Sequence, residues 1–176
     1  EALQPVLRER AEACQAARCV PAETIAAFKQ AGLTRMTQPA RFGGNEMGWD
    51  VLCGVAQRLT RGDGAQGWVQ SIMADHAQML GTFPLQAQED VWGSDPLALV
   101  ASSFPTQGGK VERAEGGLIA NGLWSFASGV DFADWNNMQV FVPSESGDGP
   151  PEHRFALVPK SDYEIVDDWF SPGLAG

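Results

Sequence analysis

Asn121-Gly-Leu-Trp-Ser-Phe-Ala-Ser-Gly-Val-Asp-Phe-Ala-Asp-Trp135 is the stretch on which the reading of this chain turns. Two Trp, two Phe, two Ser and two Gly fall within these fifteen positions. Asn121-Gly122 has turn chemistry, because both residues tolerate positive φ. The residues after it are too aromatic and too few for a surface helix. They predict a strand that runs into a loop opened by Ser128-Gly129, where backbone can approach another group closely. Flat aromatic faces, small hydroxyls and free amides suit a planar heteroaromatic ring with polar edges. An ordinary aromatic β-core closed by a turn would have the same composition.

Outward from this ribbon the pattern alternates. Segments 97–103, 110–113, 117–121, 124–127, 137–142, 154–158 and 163–167 have strand character. Gly108-Gly109, Gly116-Gly117 and Asn121-Gly122 are the expected turns, and Ser144 to Pro151 is a polar hairpin loop. Seven such segments predict a small antiparallel barrel or sandwich.

Upstream of Asp95-Pro96 the period is helical. Leu3, Val6, Leu7, Ala11 and Cys14 form the apolar stripe of a first helix over 1–19. Pro21 opens a second, with Ile25, Phe28 and Ala31 inward and Gly32 at its C-cap. Pro39 to Gly44 is a loop. A third helix covers 49–61, with Val51, Leu52, Val55 and Leu59 on one face, and Asp63-Gly64 breaks it. A fourth runs from Ala65 to Leu80. Trp68, Ile72, His76 and Leu80 recur four apart on it, which turns His76 inward. Phe83-Pro84 starts a fifth helix ending near Trp92-Gly93. The fold class is therefore α+β: an N-terminal all-helical domain (1–95), then a small antiparallel β-barrel or sandwich domain (96–176).

Bulk properties bound the function. The chain has 176 residues, enough for one sizeable domain or two small ones, and 44% hydrophobic residues supply a core. A net charge of −10 argues against nucleic acid and against anionic membrane surfaces as partners. No apolar run approaches the roughly 18 residues of a membrane span. Cys14, Cys19 and Cys53 are odd in number and lack CxxC spacing, which argues against a disulfide framework or zinc site and for the reducing cytoplasm. No metal is expected, since two histidines are too few for a cluster. The chain has neither GxGxxG nor GxSxG, so neither a Rossmann nicotinamide site nor a hydrolase elbow is supported.

Trp124-Ser-Phe-Ala-Ser-Gly129 followed by Asp131-Phe-Ala-Asp-Trp135 resembles the flavin-site segment of the flavin-dependent aromatic monooxygenases built on the acyl-CoA dehydrogenase fold. These are the oxygenase components of two-component phenol and secosteroid hydroxylases. Arg18 to Pro21, Gly32-Leu33, Pro39 to Gly44, Gly67-Trp68 with His76, and Trp169 to Gly176 are similar to the same family. The order of five helices then a β unit is that of the first two domains of this fold. Its C-terminal four-helix bundle, which in the family forms the tetramer, is absent here. The ending inside a Gly-rich turn favours a fragment of a longer enzyme over a truncated relative.

The resemblance implies a function. Reduced flavin, FMN or FAD, would arrive from a separate NAD(P)H-dependent flavin reductase. It would react with O2 to a C4a-hydroperoxide and hydroxylate a phenolic or polycyclic aromatic substrate. Phe126 would pack on the isoalloxazine, Ala127 would offer backbone groups to the ring edge, and Ser128 a catalytic hydroxyl near N5. Relatives often carry two serines where this chain has Ala127-Ser128. Ser102 and Ser103 would meet the flavin's polar edge. Trp68 and His76 would face the substrate, with His76 catalytic, because an imidazole of ordinary pKa near 6.5 suits proton transfer at neutral pH. For each serine a turn hydroxyl bonded to its own backbone is the plainer reading, and for His76 a satisfied core histidine. Two other functions stay open on sequence: an acyl-CoA dehydrogenase whose carboxylate base lies in the absent bundle, and a non-catalytic binding module.

Overall fold

The computed structural model describes residues 2–104, 106–145 and 148–176, with backbone alone at 106–108. Five helices come first: α1 (Gln4–Ala17), α2 (Ala22–Gln30), α3 (Trp49–Thr60), α4 (Gly64–Gly81) and α5 (Leu85–Trp92). Five strands follow: β1 (Val100–Ser103), β2 (Thr106–Ala114), β3 (Gly117–Trp124), β4 (Trp135–Val142) and β5 (Glu152–Pro159). The change from helix to strand lies between Trp92 and Val100, beside the expected Asp95-Pro96 break.

The helix stops are local. The chain leaves α1 through Arg18 in the left-handed region (φ 53°), and Gly32 (φ 71°) takes that conformation just after α2. Pro39 to Gly44 is less irregular than expected, since Ala40–Phe42 forms a 3-10 turn. Asp63 caps α4 by accepting from the Gln66 amide at 2.9 Å.

Helix α4 is the axis of the molecule. Ten of its residues are buried, from Ala65 to Leu80. A helix buried on most of its circumference must satisfy its polar residues internally. Gln66 does so fully: its amide donates to Leu7 O at 2.9 Å and its oxygen accepts from the Thr24 hydroxyl at 2.9 Å. Gly67 sits where a Cβ would meet Thr60 Cγ2 at 2.7 Å, so α3 and α4 touch at backbone distance.

The core is continuous across the helix-to-strand change. Leu99 packs with Leu7, Phe28, Val69 and Met73, while Ala98 and Val100 pack with Ala77, Leu80, Val91 and Trp92. Trp135 and Leu157 close that second cluster from the sheet side.

The β region departs from expectation in four ways. Strands order β1-β4-β5, and β1 pairs with β4 in parallel (Val100 with Trp135 through Ser103 with Met138), so the unit is not all-antiparallel. β2 and β3 form a separate antiparallel pair, so there is no closed barrel. Asn121-Gly122 is not a turn but lies inside β3. A Cβ at Gly122 would sit 2.5 Å from Gly109 Cα, so the glycine serves cross-strand contact rather than reversal. Gly108-Gly109 likewise falls within β2, at a register shift between Gln107 and Lys110. The reversal occurs at Glu115-Gly116, where Gly116 has φ 82°. Finally, 124–127 and 163–167 are not separate strands: β3 ends at Trp124, and 163–168 has no ladder partners among the described residues, with Asp168 N bonded back to Val166 O at 3.0 Å. Residues 146 and 147 of the Ser144–Pro151 loop lie outside the described residues.

Candidate functional site: an aromatic cleft beside α4

The 121–135 ribbon leaves β3 at Trp124 and folds back on α4. Trp124 anchors the exit, its indole donating to Gln139 O of β4 at 2.8 Å. Gly129 (φ 81°) brings the loop down onto α4, where a Cβ would lie 2.9 Å from Met73 Cε. This contact places Ser128 beside the first turns of α4. The Trp68 indole donates to Ser128 Oγ at 3.0 Å. Two residues singled out in the sequence are thus joined directly, and the indole fixes which way that hydroxyl points.

Phe126 is 63% exposed and adopts φ 62°. For a bulky residue the left-handed region costs about 1–2 kcal/mol. The strain turns the ring outward instead of into the core, where it meets Trp169 edge-on at 5.7 Å between centroids. Leu123, Ser125, Phe126, Asp168 and Trp169 line a cleft of about 240 Å³. Ala127 is half-buried between the two, with its carbonyl accepting from Val130 N at 3.0 Å.

His76 sits about 12 Å further along α4, two turns beyond Trp68. It is buried, at 3% exposure, as its spacing predicts. Trp68 of the same series is 44% exposed, its indole turned to Ser128 of the loop instead of into the core. His76 Nδ1 lies 3.2 Å from Val100 O of β1. A carbonyl only accepts, so Nδ1 carries the proton and Nε2 keeps its lone pair. Burial pushes the imidazole pKa down to about 4, against the opposing pull of the Val100 carbonyl. At neutral pH His76 is uncharged. The ordinary pKa near 6.5 expected from sequence does not hold, so this side chain is a hydrogen-bond acceptor and a poor proton store.

Ser102 and Ser103 end β1, at 2% and 0% exposure. Successive side chains of a strand face opposite ways. Ser102 therefore shares the α4-facing side with Val100 and, across the parallel pair, with Asn137. Ser103 faces the other side, with Asn136 and Met138. The two serines cannot serve one surface. Among the described residues neither hydroxyl has a hydrogen-bond partner, nor do Asn136 Oδ1 and Asn137 Oδ1. An unpaired buried polar group costs about 1–3 kcal/mol. Ser102 and Asn137 are register partners on one face and Ser103 and Asn136 lie on the other, so the end of β1 and the start of β4 form a polar seam within an otherwise apolar sheet. Reading for turns and motifs misses Asn136-Asn137, although two amides inside an apolar strand are a legible signal. An aromatic run from His76 through Phe104 (6.5 Å) to Phe155 (5.7 Å) and Phe83 (6.2 Å) leads outward from this seam.

The cysteines are free thiols, and burial raises Cys14 and Cys19 to about 11, which leaves them protonated. Among the described residues no group of three or more His, Cys, Asp or Glu is placed to hold a metal, and no helix is long and apolar enough to cross a membrane.

An open aromatic cleft, with the Ser125 hydroxyl in its lining, strained backbone presenting Phe126, and Ser128 two residues further along the loop, fits a flat ring system with polar edges. Comparison with known proteins points the same way. Residues 1–94 match the family described as acyl-CoA dehydrogenase, N-terminal domain. The chain is 36% identical over 176 residues to the flavin-dependent monooxygenase, oxygenase subunit HsaA, of Mycobacterium tuberculosis H37Rv, covering 99% of this chain and 43% of that protein. It is 36% identical over 172 residues to the oxygenase component of the FADH(2)-dependent resorcinol hydroxylase of a Rhizobium strain, covering 97% and 41%. The crystal structure of 3-HSA hydroxylase from Rhodococcus sp. RHA1 superposes with a TM-score of 0.90 at 35% identity, covering 99% of this chain and 44% of that one. The chain spans less than half the length of these relatives. It belongs to the acyl-CoA dehydrogenase family, whose N-terminal domain it carries, and its homologues are oxygenase components of flavin-dependent hydroxylases.

Proposed function

We propose that this chain forms the flavin- and substrate-facing wall of the oxygenase component of a two-component monooxygenase, which hydroxylates a small phenolic or polycyclic aromatic compound with O2. The observation that carries this reading is the Trp68–Ser128 hydrogen bond beside an exposed, strained Phe126. Reduced flavin, when bound, supplies the activation of O2. The name of the Rhizobium relative supports FADH2 as that flavin.

The chain's own residues divide the remaining work. Phe126 and Trp169 offer aromatic faces and keep water from the ring. Ser128, oriented by the Trp68 indole, presents its hydroxyl to the flavin edge. Ala127 places backbone groups beside it. Ser102, on the α4-facing side of β1, contributes a polar edge, whereas Ser103 faces the other side of the sheet and takes no part. Neutral His76 accepts a hydrogen bond at Nε2 from a phenolic hydroxyl, which raises electron density in the ring without demanding a full proton transfer. Oxygenase-component names among the relatives support delivery of reduced flavin by a separate NAD(P)H-dependent reductase. A homotetramer in the cytoplasm is the assembly and location we assign.

The test is a single turnover of the protein expressed from its intact gene. Reduced FMN or FAD is bound without oxygen, a phenol is added, and O2 is admitted while absorbance and product are followed. The proposal expects hydroxylated phenol in proportion to bound flavin. Bleaching of oxidised flavin by an acyl-CoA thioester, with no hydroxylation, would replace it by a dehydrogenase.

A further inference from the structure

We propose that Arg18, at the far end of α1, is a positioning residue for the aromatic cleft: it sets the place of Trp169 without touching a ligand. This inference rests on the flavin reading of the cleft above. Arg18 leaves α1 in the left-handed conformation, which throws its guanidinium toward the C-terminal segment. One guanidinium nitrogen donates to Asp167 Oδ1 at 2.7 Å and to Trp169 O at 2.8 Å. The other pairs with Asp167 Oδ2. The guanidinium carbon lies 4.1 Å from the centroid of the Phe170 ring. Arg18 thus grips the chain on both sides of Asp168, by carboxylate, carbonyl and aromatic face.

Stability does not account for this arrangement. Both ends of the ion pair reach solvent, and exposed pairs contribute little to folding. A planar fork that binds side chain and backbone together instead fixes geometry. What it fixes is Trp169. The indole nitrogen is held by Leu174 O at 2.8 Å, and the ring stands edge-on to Phe126 at the cleft. Beyond Leu174, Ala175 is buried at 1% exposure and Gly176 packs against the Cys14 thiol. The segment is therefore tied at two points, and Trp169 lies between them as one wall of the cleft. Asp167 and Trp169 are 149 and 151 residues from Arg18, so the clasp joins the two ends of the chain.

A double-mutant cycle tests this on the intact protein. Reduced FAD and reduced FMN are titrated without oxygen into wild type, Arg18→Ala, Trp169→Ala and the double variant. Arg18→Ala should weaken flavin binding roughly three- to tenfold, the range of a coupled contact pair. In the Trp169→Ala background the same change should have no further effect, because the group it positions is gone. Arg18→Lys keeps the charge without the fork and should behave as the alanine variant does; it carries the test if Arg18→Ala does not accumulate. As a second readout, in a Cys19→Ser, Cys53→Ser background, Arg18→Ala should leave Cys14 as slow toward a thiol reagent as in the parent, since the Gly176 contact is a separate tie. Unchanged affinity in Arg18→Ala and Arg18→Lys, multiplicative losses in the double variant, or a Cys14 that opens with Arg18→Ala would each overturn the inference while leaving the proposed function intact. A wild type that binds neither reduced flavin would overturn both.

Discussion

At His76 two effects on proton affinity oppose each other, and burial wins. The folded imidazole takes a proton near pH 4, the unfolded one near its ordinary 6.5. Between these values the unfolded state holds more protons. Stability must therefore fall as pH drops through that window and level off below it. The size is on the order of 3 kcal/mol at most, because each pH unit of the window contributes about 1.36 kcal/mol. Urea midpoints of wild type and His76→Leu at pH 7 and pH 4.5 check this: carboxylate titrations are common to both, so the acid loss should be smaller in the leucine variant. Equal losses would remove His76 as the cause. The same lone pair at Nε2 carries the chemical role. His76→Gln should lower kcat/KM for a phenol roughly tenfold, the worth of one well-placed hydrogen bond, with reduced-flavin affinity held within about twofold. A change in flavin affinity without a change in kcat/KM would move His76 from the substrate side to the cofactor side.

At the scale of elements, the cleft depends on how the 125–132 loop rests on α4. Gly129 is the point of contact, and it alone among the loop's residues has both positive φ and a side-chain-free approach to Met73. Gly129→Ala adds a methyl 2.9 Å from Met73 Cε and strains the backbone. Met73 can swing its end away, so the backbone strain dominates and the loss should be about 1–2 kcal/mol. The loop should lift, and the Trp68–Ser128 bond with it. Thermal melts together with tryptophan emission would show this as a lower midpoint and a red-shifted native spectrum; an unshifted spectrum would mean the loop tolerates the methyl in place. This element also shows what sequence could and could not carry. The helices were legible to within a few residues, because each is set by a local period and local stops such as Pro21, Gly32 and Asp63. The inward turn of His76 followed from the same period. The sheet was not, because pairing is a long-range choice. Nothing near Val100–Ser103 encodes a parallel partner thirty-five residues away, and Asn121-Gly122 obeys cross-strand contact with Gly109 over its own turn preference. The opposed directions of Ser102 and Ser103 follow from strand geometry, and the pair Asn136-Asn137 stands out in the sequence, but that their Oδ1 atoms lack partners beside the serines becomes visible only once β4 is in place.

At the scale of the whole molecule, the sequence break at Asp95-Pro96 and the core do not coincide. The helices bury Phe28, Val69 and Met73 against Leu99, and Leu80, Val91 and Trp92 against Ala98 and Val100. Trp92 also donates from its indole to Ala98 O at 3.3 Å. A side-chain tie crosses as well: Gln38 Nε2 donates to Pro96 O at 3.1 Å. Residues 1–95 alone would strip the strand-side cover from these six apolar side chains and leave the Trp92 indole donor without its acceptor. Exposing a fully buried large side chain costs about 1.5–3 kcal/mol each, which is a sizeable part of the roughly 5–15 kcal/mol that holds an ordinary domain together. The clasp from Arg18 to Asp167 would be lost with them. A polypeptide of residues 1–95 should therefore show helix by far-ultraviolet circular dichroism but melt without a cooperative transition, whereas one extended to residue 176 should melt sharply. A cooperative melt of 1–95, close in midpoint to that of the longer chain, would make the helical half an independent unit and reduce β1 to a guest on its surface.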